Sequence, residues 1–299
     1  MKHYWRIGLA IMIVSEAATL ARIEPFWSWN TPIAWTGFIL FADGLVWRAR
    51  GNSWLQSSRR EFTLLVLASI PLWLVFEGYN LIIKNWHYVG LPENWWLRQF
   101  GYAWSFATIW PAVFEGAELI AILRSGGRAG SDARDRGRTH ATALAHPTYP
   151  THQTYPTIAA GALMLACPFF VPLDIARYLA APVWLGFIFL LDPLNAHLGG
   201  SSLFAELRQG RADRFINLAL SGLLCGVLWE FWNYWSRAKW HYTVPIMEHV
   251  KIFEMPLPGY LGFPAFALEC FTMYVFIRAL SVRLVAGAGA GRPGRAIAL

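Results

Sequence analysis

The chain has 299 residues, of which 56% are hydrophobic and 14% charged, with a formal net charge of +7. Soluble domains carry about 25% charged residues, so this composition leaves too little charge to coat a water-soluble body of that length. The apolar residues also come in blocks of about 17–25 residues, the length that crosses a bilayer. Backbone polar groups in lipid must be satisfied internally, which favours helices. The expected fold is an all-α polytopic transmembrane bundle. Cys167, Cys225 and Cys270 lie inside the apolar blocks, and their spacing and odd number suggest neither a disulfide framework nor a metal site.

In chain order, the first spans are expected at 7–23, 32–47, 62–83 and 99–123. Lys2 and Arg6 precede the first block as in a signal peptide, but Glu16 interrupts it, so it is read as a helix. Residues 124–156 are rich in Gly, Arg, Thr and Pro and read as a flexible cytoplasmic linker. Its His140, His146 and His152 are taken as solvated rather than metal-binding. Four more spans follow at 157–179, 182–198, 214–235 and 259–285, then a tail at 286–299. With a cytoplasmic N-terminus, 18 of the 25 Lys and Arg fall on the cytoplasmic side. That asymmetry predicts that both termini are cytoplasmic. It also accounts for the basic balance without nucleic acid.

The two groups of four spans resemble each other. Residues 35–43 read WTGFILFAD and residues 184–192 read WLGFIFLLD, ending on Asp43 and Asp192. Gly51 is matched by Gly200. Glu77-Gly-Tyr-Asn80 answers Glu230-Phe-Trp-Asn233, Trp86-His87-Tyr88 answers Trp240-His241-Tyr242, and Glu115 sits opposite Glu269. An even number of spans per copy predicts two parallel four-helix repeats, 1–123 and 157–285, about an axis along the membrane normal.

Nine of the 18 acids fall inside the apolar spans: Glu16, Asp43, Glu77, Glu115, Glu118, Asp174, Asp192, Glu230 and Glu269. A charged carboxylate in lipid is costly, so such residues face a bundle interior or a cavity. Few basic residues accompany them, so some are expected to be protonated and available as proton donors. Glu77 and Asn80, like Glu230 and Asn233, are three residues apart and share a helix face. The catalytic candidates are therefore Glu77 and Glu230 as acids, oriented by Asn80 and Asn233. Glu115, Glu269, His87 and His241 would complete a proton path. The plainer alternative, hydrogen-bonding glue between helices, is favoured for Asp43 and Asp192 and for Glu16, Glu118 and Asp174.

Seventeen tryptophans are present. Trp27, Trp29, Trp95 and Trp96 fit the aromatic belt at a membrane interface. Trp73, Trp229 and Trp232 lie on the spans that carry the acids, and Trp86, Tyr88, Trp240 and Tyr242 lie in the adjoining loops. These seven are the substrate-binding candidates, because aromatic faces stabilise cations. The loops at 84–98 and 236–258 read as segments packed over the site.

Trp229-Glu230-Phe231-Trp232-Asn233-Tyr234 resembles the Trp-Glu-aromatic motif of small integral-membrane terpene cyclases, which are distantly similar to heterodimeric-type lycopene cyclases. The resemblance covers these six residues. The Pro-Leu-Glu-Glu signature of lycopene cyclases is absent, since Glu77 follows Val75-Phe76. The resemblance implies a helical enzyme without a metal cofactor, in which a membrane-embedded acid at Glu230, and by the repeat Glu77, protonates a prenyl substrate. The stretch at 253–269 is similar to segments of uncharacterised bacterial membrane proteins, which implies a bacterial cytoplasmic membrane. No nucleotide loop, zinc motif or Ser/His/Asp arrangement is visible, and no cofactor or metal is expected. The function expected is a membrane enzyme, a cyclase or isomerase, acting on an isoprenoid-like lipid by intramembrane acid–base chemistry. A proton- or ion-coupled transporter with duplicated halves, or a lipid- or pigment-binding protein, is the alternative.

Overall fold

A computed structural model describes residues 3–126 and 151–287. The central part of the expected linker, with His140 and His146, and most of the C-terminal tail lie outside the described residues. Helices α1 (Tyr4–Leu20), α2 (Phe26–Arg50), α3 (Trp54–Ser57) and α4 (Arg59–Ile83) lead to strand β1 (Trp86–Val89) and helix α5 (Trp95–Arg124). After the gap come α6 (Thr151–Ala166), a 3-10 turn (Cys167–Phe169), α7 (Leu173–Ala176), α8 (Ala180–His197), α9 (Leu203–Arg208) and α10 (Asp213–Trp235). Strands β2 (Lys239–Tyr242), β3 (Lys251–Ile252) and β4 (Met255–Pro256), a 3-10 turn (Leu257–Leu261) and α11 (Gly262–Gly287) complete the order.

Among the described residues, four segments are long and apolar enough to cross a membrane: α4, α5, α10 and Leu257–Ser281. A helix of 25 residues spans about 37 Å, more than the roughly 30 Å hydrocarbon core. The helices also turn large apolar side chains outward: Leu81 is 78% exposed and Leu163 70%. A soluble monomer does not carry such a surface over most of its helices, so the chain is read as a membrane protein.

The expected span at 157–179 is not one helix. Pro168 and Pro172 cannot continue the α-helical ladder, and the chain breaks into the 3-10 turn and α7. Asp174 consequently sits exposed on α7, not inside a long span. The helix also starts earlier than expected, at Thr151, within the segment assigned to the linker. The protein is mainly helical as expected, with four short strands added among the described residues. Trp86-His87-Tyr88 and Trp240-His241-Tyr242 alternate aromatic and polar faces, a period that suits a ribbon rather than a helix. The two triplets pair antiparallel, with Trp86 opposite Tyr242, His87 opposite His241 and Tyr88 opposite Trp240.

Close helix crossings organise the bundle. A Cβ on Gly8 of α1 would lie 2.4 Å from the backbone of Gly37 and Phe41 on α2. A Cβ on Gly161 of α6 would lie 2.4 Å from the backbone nitrogen of Leu190 on α8. Only glycine lets these backbones touch. α2 and α4 pack on α5, α8 and α10 pack on α11, and α5 joins the two groups through α10. At that junction Ser221 Oγ donates to Val113 O at 2.6 Å, and Trp110 Nε1 donates to Cys270 O at 2.9 Å.

Buried aspartates fix one end of the bundle. Asp43 accepts from Ser53 Oγ and Leu55 N, each at 2.9 Å, and from the Tyr4 hydroxyl. Asp192 accepts from Ser202 Oγ at 2.6 Å, Leu203 N at 2.7 Å and Phe204 N at 3.0 Å. Each carboxylate thus meets the otherwise unsatisfied N–H groups that open a short helix, α3 or α9. At the same end Glu118 is paired with Arg50, and Glu61 with Arg278 at 2.8 Å.

Candidate functional site

The other end of the bundle holds a cavity of about 110 Å³. The β1–β2 ribbon closes one side, and α2, α4, α5, α8, α10 and the start of α11 supply the rest. Trp29, Trp35, Trp73, Trp86, Trp184, Trp229 and Trp240 all line it, with Tyr88, Tyr102 and Tyr242. The aromatic rings interlock: Trp73 lies 5.6 Å from Trp229 and 6.1 Å from Trp86, and Trp229 lies 5.2 Å from Trp240.

Two asparagines set the ribbon in place. Asn80 Oδ1 accepts from Asn85 N at 2.8 Å and Trp86 N at 3.1 Å, and its Nδ2 donates to Trp86 O at 2.9 Å. Asn233 Oδ1 accepts from Trp240 N, and its Nδ2 donates to Trp240 O, both at 2.9 Å. Each side chain behaves like one more residue of β-ladder. Asn80 and Asn233 therefore bond to the strand backbone, not to the acids three residues before them.

Two glutamates stand behind the cavity wall. Glu77 Oε1 accepts from Tyr88 Oη at 2.5 Å, Trp73 Nε1 at 2.8 Å and Trp86 Nε1 at 3.3 Å. Glu230 Oε1 accepts from Tyr242 Oη at 2.9 Å. Among the described residues its Oε2 is buried without a hydrogen-bond partner, and the Trp240 indole N–H and the Glu254 backbone N–H, though near, are outside hydrogen-bonding geometry. Both tyrosine hydroxyls stay neutral far above their ordinary range. Burial is the main cause for each, and the neighbouring Glu77 or Glu230 charge adds to it. A phenol held neutral between a carboxyl group and a cavity can pass a proton in either direction.

The remaining sequence candidates lie elsewhere. Trp232 packs edge-on against Trp35 at 4.8 Å, one layer outside the cavity lining. Glu115 is buried beside Asp43, at the far end of the bundle. Glu269 is 0% exposed, and neither of its oxygens has a hydrogen-bond partner among the described residues. Neither Glu115 nor Glu269 lines the cavity. The alternation of the ribbon turns His87 and His241 to its opposite face, where their rings are 5.8 Å apart. There His241 Nδ1 lies 2.8 Å from Glu254 Oε2, and Lys239 Nζ donates to Glu254 Oε1 at 2.9 Å. Burial works to raise the Glu254 carboxyl, but the hydrogen bonds from Lys239 and His241 outweigh it and hold the group below its ordinary range.

Several participants carried no usable signal in the sequence. Arg98 and Tyr102 on α5, Trp184 on α8 and Phe266 on α11 line the cavity from helices distant along the chain. Trp29 also lines it, whereas Trp95 and Trp96 are exposed as an interfacial belt requires. Among the described residues, no group of three His, Cys, Asp or Glu side chains is arranged to hold a metal ion. No family model matches the chain, and neither a curated protein nor a solved structure matches it.

Proposed function

We propose that the protein is a membrane enzyme that isomerises or cyclises a lipophilic, isoprenoid-like substrate by intramembrane acid–base chemistry. The observation that carries this reading is the convergence of two Glu–Tyr pairs, Glu230–Tyr242 and Glu77–Tyr88, on one aromatic cavity. Their environments differ in a useful way. Glu77 takes three donors on one oxygen, an arrangement suited to a base, while Glu230 keeps one oxygen free to carry a proton. In the proposed cycle the Tyr242 hydroxyl turns toward the substrate. It gives its proton to an alkene carbon as Glu230 replaces that proton, and the alkene π pair becomes the new C–H bond. The carbocation left on the adjacent carbon faces indole and phenol rings, which stabilise positive charge. Loss of a proton from a neighbouring carbon through Tyr88 to Glu77 restores a double bond, and exchange with water then takes the proton from Glu77 and reloads Glu230, so protons balance over the cycle.

We also read the chain as eight crossings in two parallel four-helix units, with both termini cytoplasmic in a bacterial inner membrane. Support comes from contacts that recur at matched positions: Asp43 with Ser53 and Asp192 with Ser202, Asn80 with Trp86 and Asn233 with Trp240, Gly8 on Gly37 and Gly161 against α8.

The test incubates purified protein with a panel of unsaturated isoprenoids in D₂O and identifies products by mass spectrometry. The expected result is a rearranged product carrying one deuterium, abolished in Glu230→Gln. Product formation that is unchanged in that variant would refute the assignment. Flux of unaltered lipid driven by a pH gradient in proteoliposomes would replace it with the carrier reading.

A further inference from the structure

The acid–base cycle leaves the two cations at the cavity unused. Lys239 is answered by Glu254 at 2.9 Å. Arg98 pairs with no carboxylate among the described residues. Its Nε donates to Pro92 O at 3.1 Å and its Nη2 to Glu93 O at 3.3 Å, contacts that hold the guanidinium in place without neutralising it. Arg98 also stands in the first turn of α5, where no acid is present. A guanidinium beside a helix N-terminus concentrates positive charge. No acidic side chain lines the cavity, because Glu77 and Glu230 stand behind their tyrosines.

The cavity is also graded along its length. Arg98 and Ser28 are part-exposed, while Trp35, Ile109 and Phe266 are buried. Beyond Phe266 a void of about 10 Å³ continues toward Gly222 and Gly226. A volume near 110 Å³ is slightly smaller than the roughly 150 Å³ cavity that admits benzene. It has room for about one isoprene unit.

Building on the proposed acid–base function, we infer that the substrate is an amphiphile with a phosphate-type anionic head held by Arg98 and a short unsaturated chain directed toward Phe266. A neutral hydrocarbon would leave the guanidinium without a counter-charge beside an apolar wall. The chemistry of the head is shared with membrane phospholipids, and the test separates the two sources.

Binding is read from tryptophan fluorescence of the purified protein in phosphatidylcholine nanodiscs, using dimethylallyl phosphate and dimethylallyl alcohol as probes. Wild type is expected to prefer dimethylallyl phosphate by at least about tenfold, the scale of a charge-assisted contact. Arg98→Gln is expected to reduce the preference to within about twofold while still binding dimethylallyl alcohol, which reports an intact cavity. Arg98→Lys is expected to keep most of it. Equal binding of the two probes by wild type overturns the inference, as does an unchanged preference in Arg98→Gln. Loss of the wild-type preference when phosphatidylglycerol is added to the nanodiscs also overturns it, because Arg98 would then hold a membrane head group. Should Arg98→Gln fail to fold, the wild-type preference and its retention in Arg98→Lys decide the matter. Equal binding together with deuterium-labelled product removes the head-group inference and leaves the acid–base function standing. A preference without any product does the reverse.

Discussion

The surroundings of Glu77 and Glu230 share a frame and differ in two donors. In both, an asparagine three residues later grips the backbone of a tryptophan, and a tyrosine two residues beyond that tryptophan donates to the acid. Trp86 Nε1 reaches Glu77 whereas the matched Trp240 Nε1 does not bond to Glu230, and the position four residues before the acid decides the other donor. It is Trp73 before Glu77, and its indole supplies a further donor. It is Gly226 before Glu230, where the Phe263 ring fills the space. A saturated acceptor and an acceptor with a free buried oxygen are chemically unequal, since an unmet buried acceptor costs about 1–3 kcal/mol. One frame thus yields two sites with distinct proton roles.

The largest effect that can break this comparison is kinetic. Glu230→Gln should lower product formation by about 100-fold or more, the usual scale of losing a general acid. Glu77→Gln should cost less, because Tyr88 still lies at the cavity and can hand its proton to another acceptor. Equal losses would mean that the unequal hydrogen bonding has no catalytic meaning. Next comes the frame itself. Asn233→Ala strips two bonds from the buried Trp240 backbone and should destabilise by about 2 kcal/mol or more. Asn80→Ala, at a part-exposed site, should cost less in thermal melts in detergent.

The filling can be tested directly. A Cβ at Gly226 would lie 2.2 Å from Phe263 Cδ2, so Gly226→Ala should overpack the core and cost about 1–3 kcal/mol. The matched control is Gly78→Ala beside Glu77, where nothing lies within 4 Å of the added carbon. That change should be neutral or stabilise by up to about 1 kcal/mol, because it improves helix propensity. If both variants melted alike, close packing at Gly226 would not distinguish the two acids.

The smallest effect concerns the outer face of the ribbon. Glu254 has a folded-state value depressed below the ordinary 4.5 by its bonds to Lys239 and His241. Its contribution is therefore fully present above about pH 4.5 and is lost as pH falls through the lower folded value. The group is part-exposed, so the loss should be under about 1 kcal/mol. Melting curves from pH 6 to pH 3 should lose this increment in wild type, and Glu254→Gln should lack it throughout. Identical acid dependence of the two proteins would remove the anchor from the account.

Much of the frame was legible because spacing survives in a linear chain. Glu77 with Asn80, Glu230 with Asn233, and the two Trp-His-Tyr triplets could be matched by eye, and helix and strand periods say which residues share a face. Six of the seven aromatic candidates, Trp73, Trp86, Tyr88, Trp229, Trp240 and Tyr242, line the cavity. Partners chosen by geometry were not legible. Asn80 grips a strand instead of Glu77, and His87 and His241 point away from the cavity. Glu115 meets Asp43 at the opposite end.

The sequence by itself therefore determined the solvent and the building blocks. Low charge and long apolar blocks require lipid-facing helices, and prolines at 168 and 172 mark a break that the block lengths had hidden. Tertiary structure alone decided the ribbon. Two triplets about 150 residues apart pair because two asparagines pin their strands, and a one-residue alternation then sends tyrosines inward and histidines outward. The same packing left Arg98 without a carboxylate partner among the described residues, beside an aromatic cavity. Hydropathy carries the first kind of information, because burial in lipid acts residue by residue. It does not carry the second, because a hydrogen-bond partner is set by where helices cross.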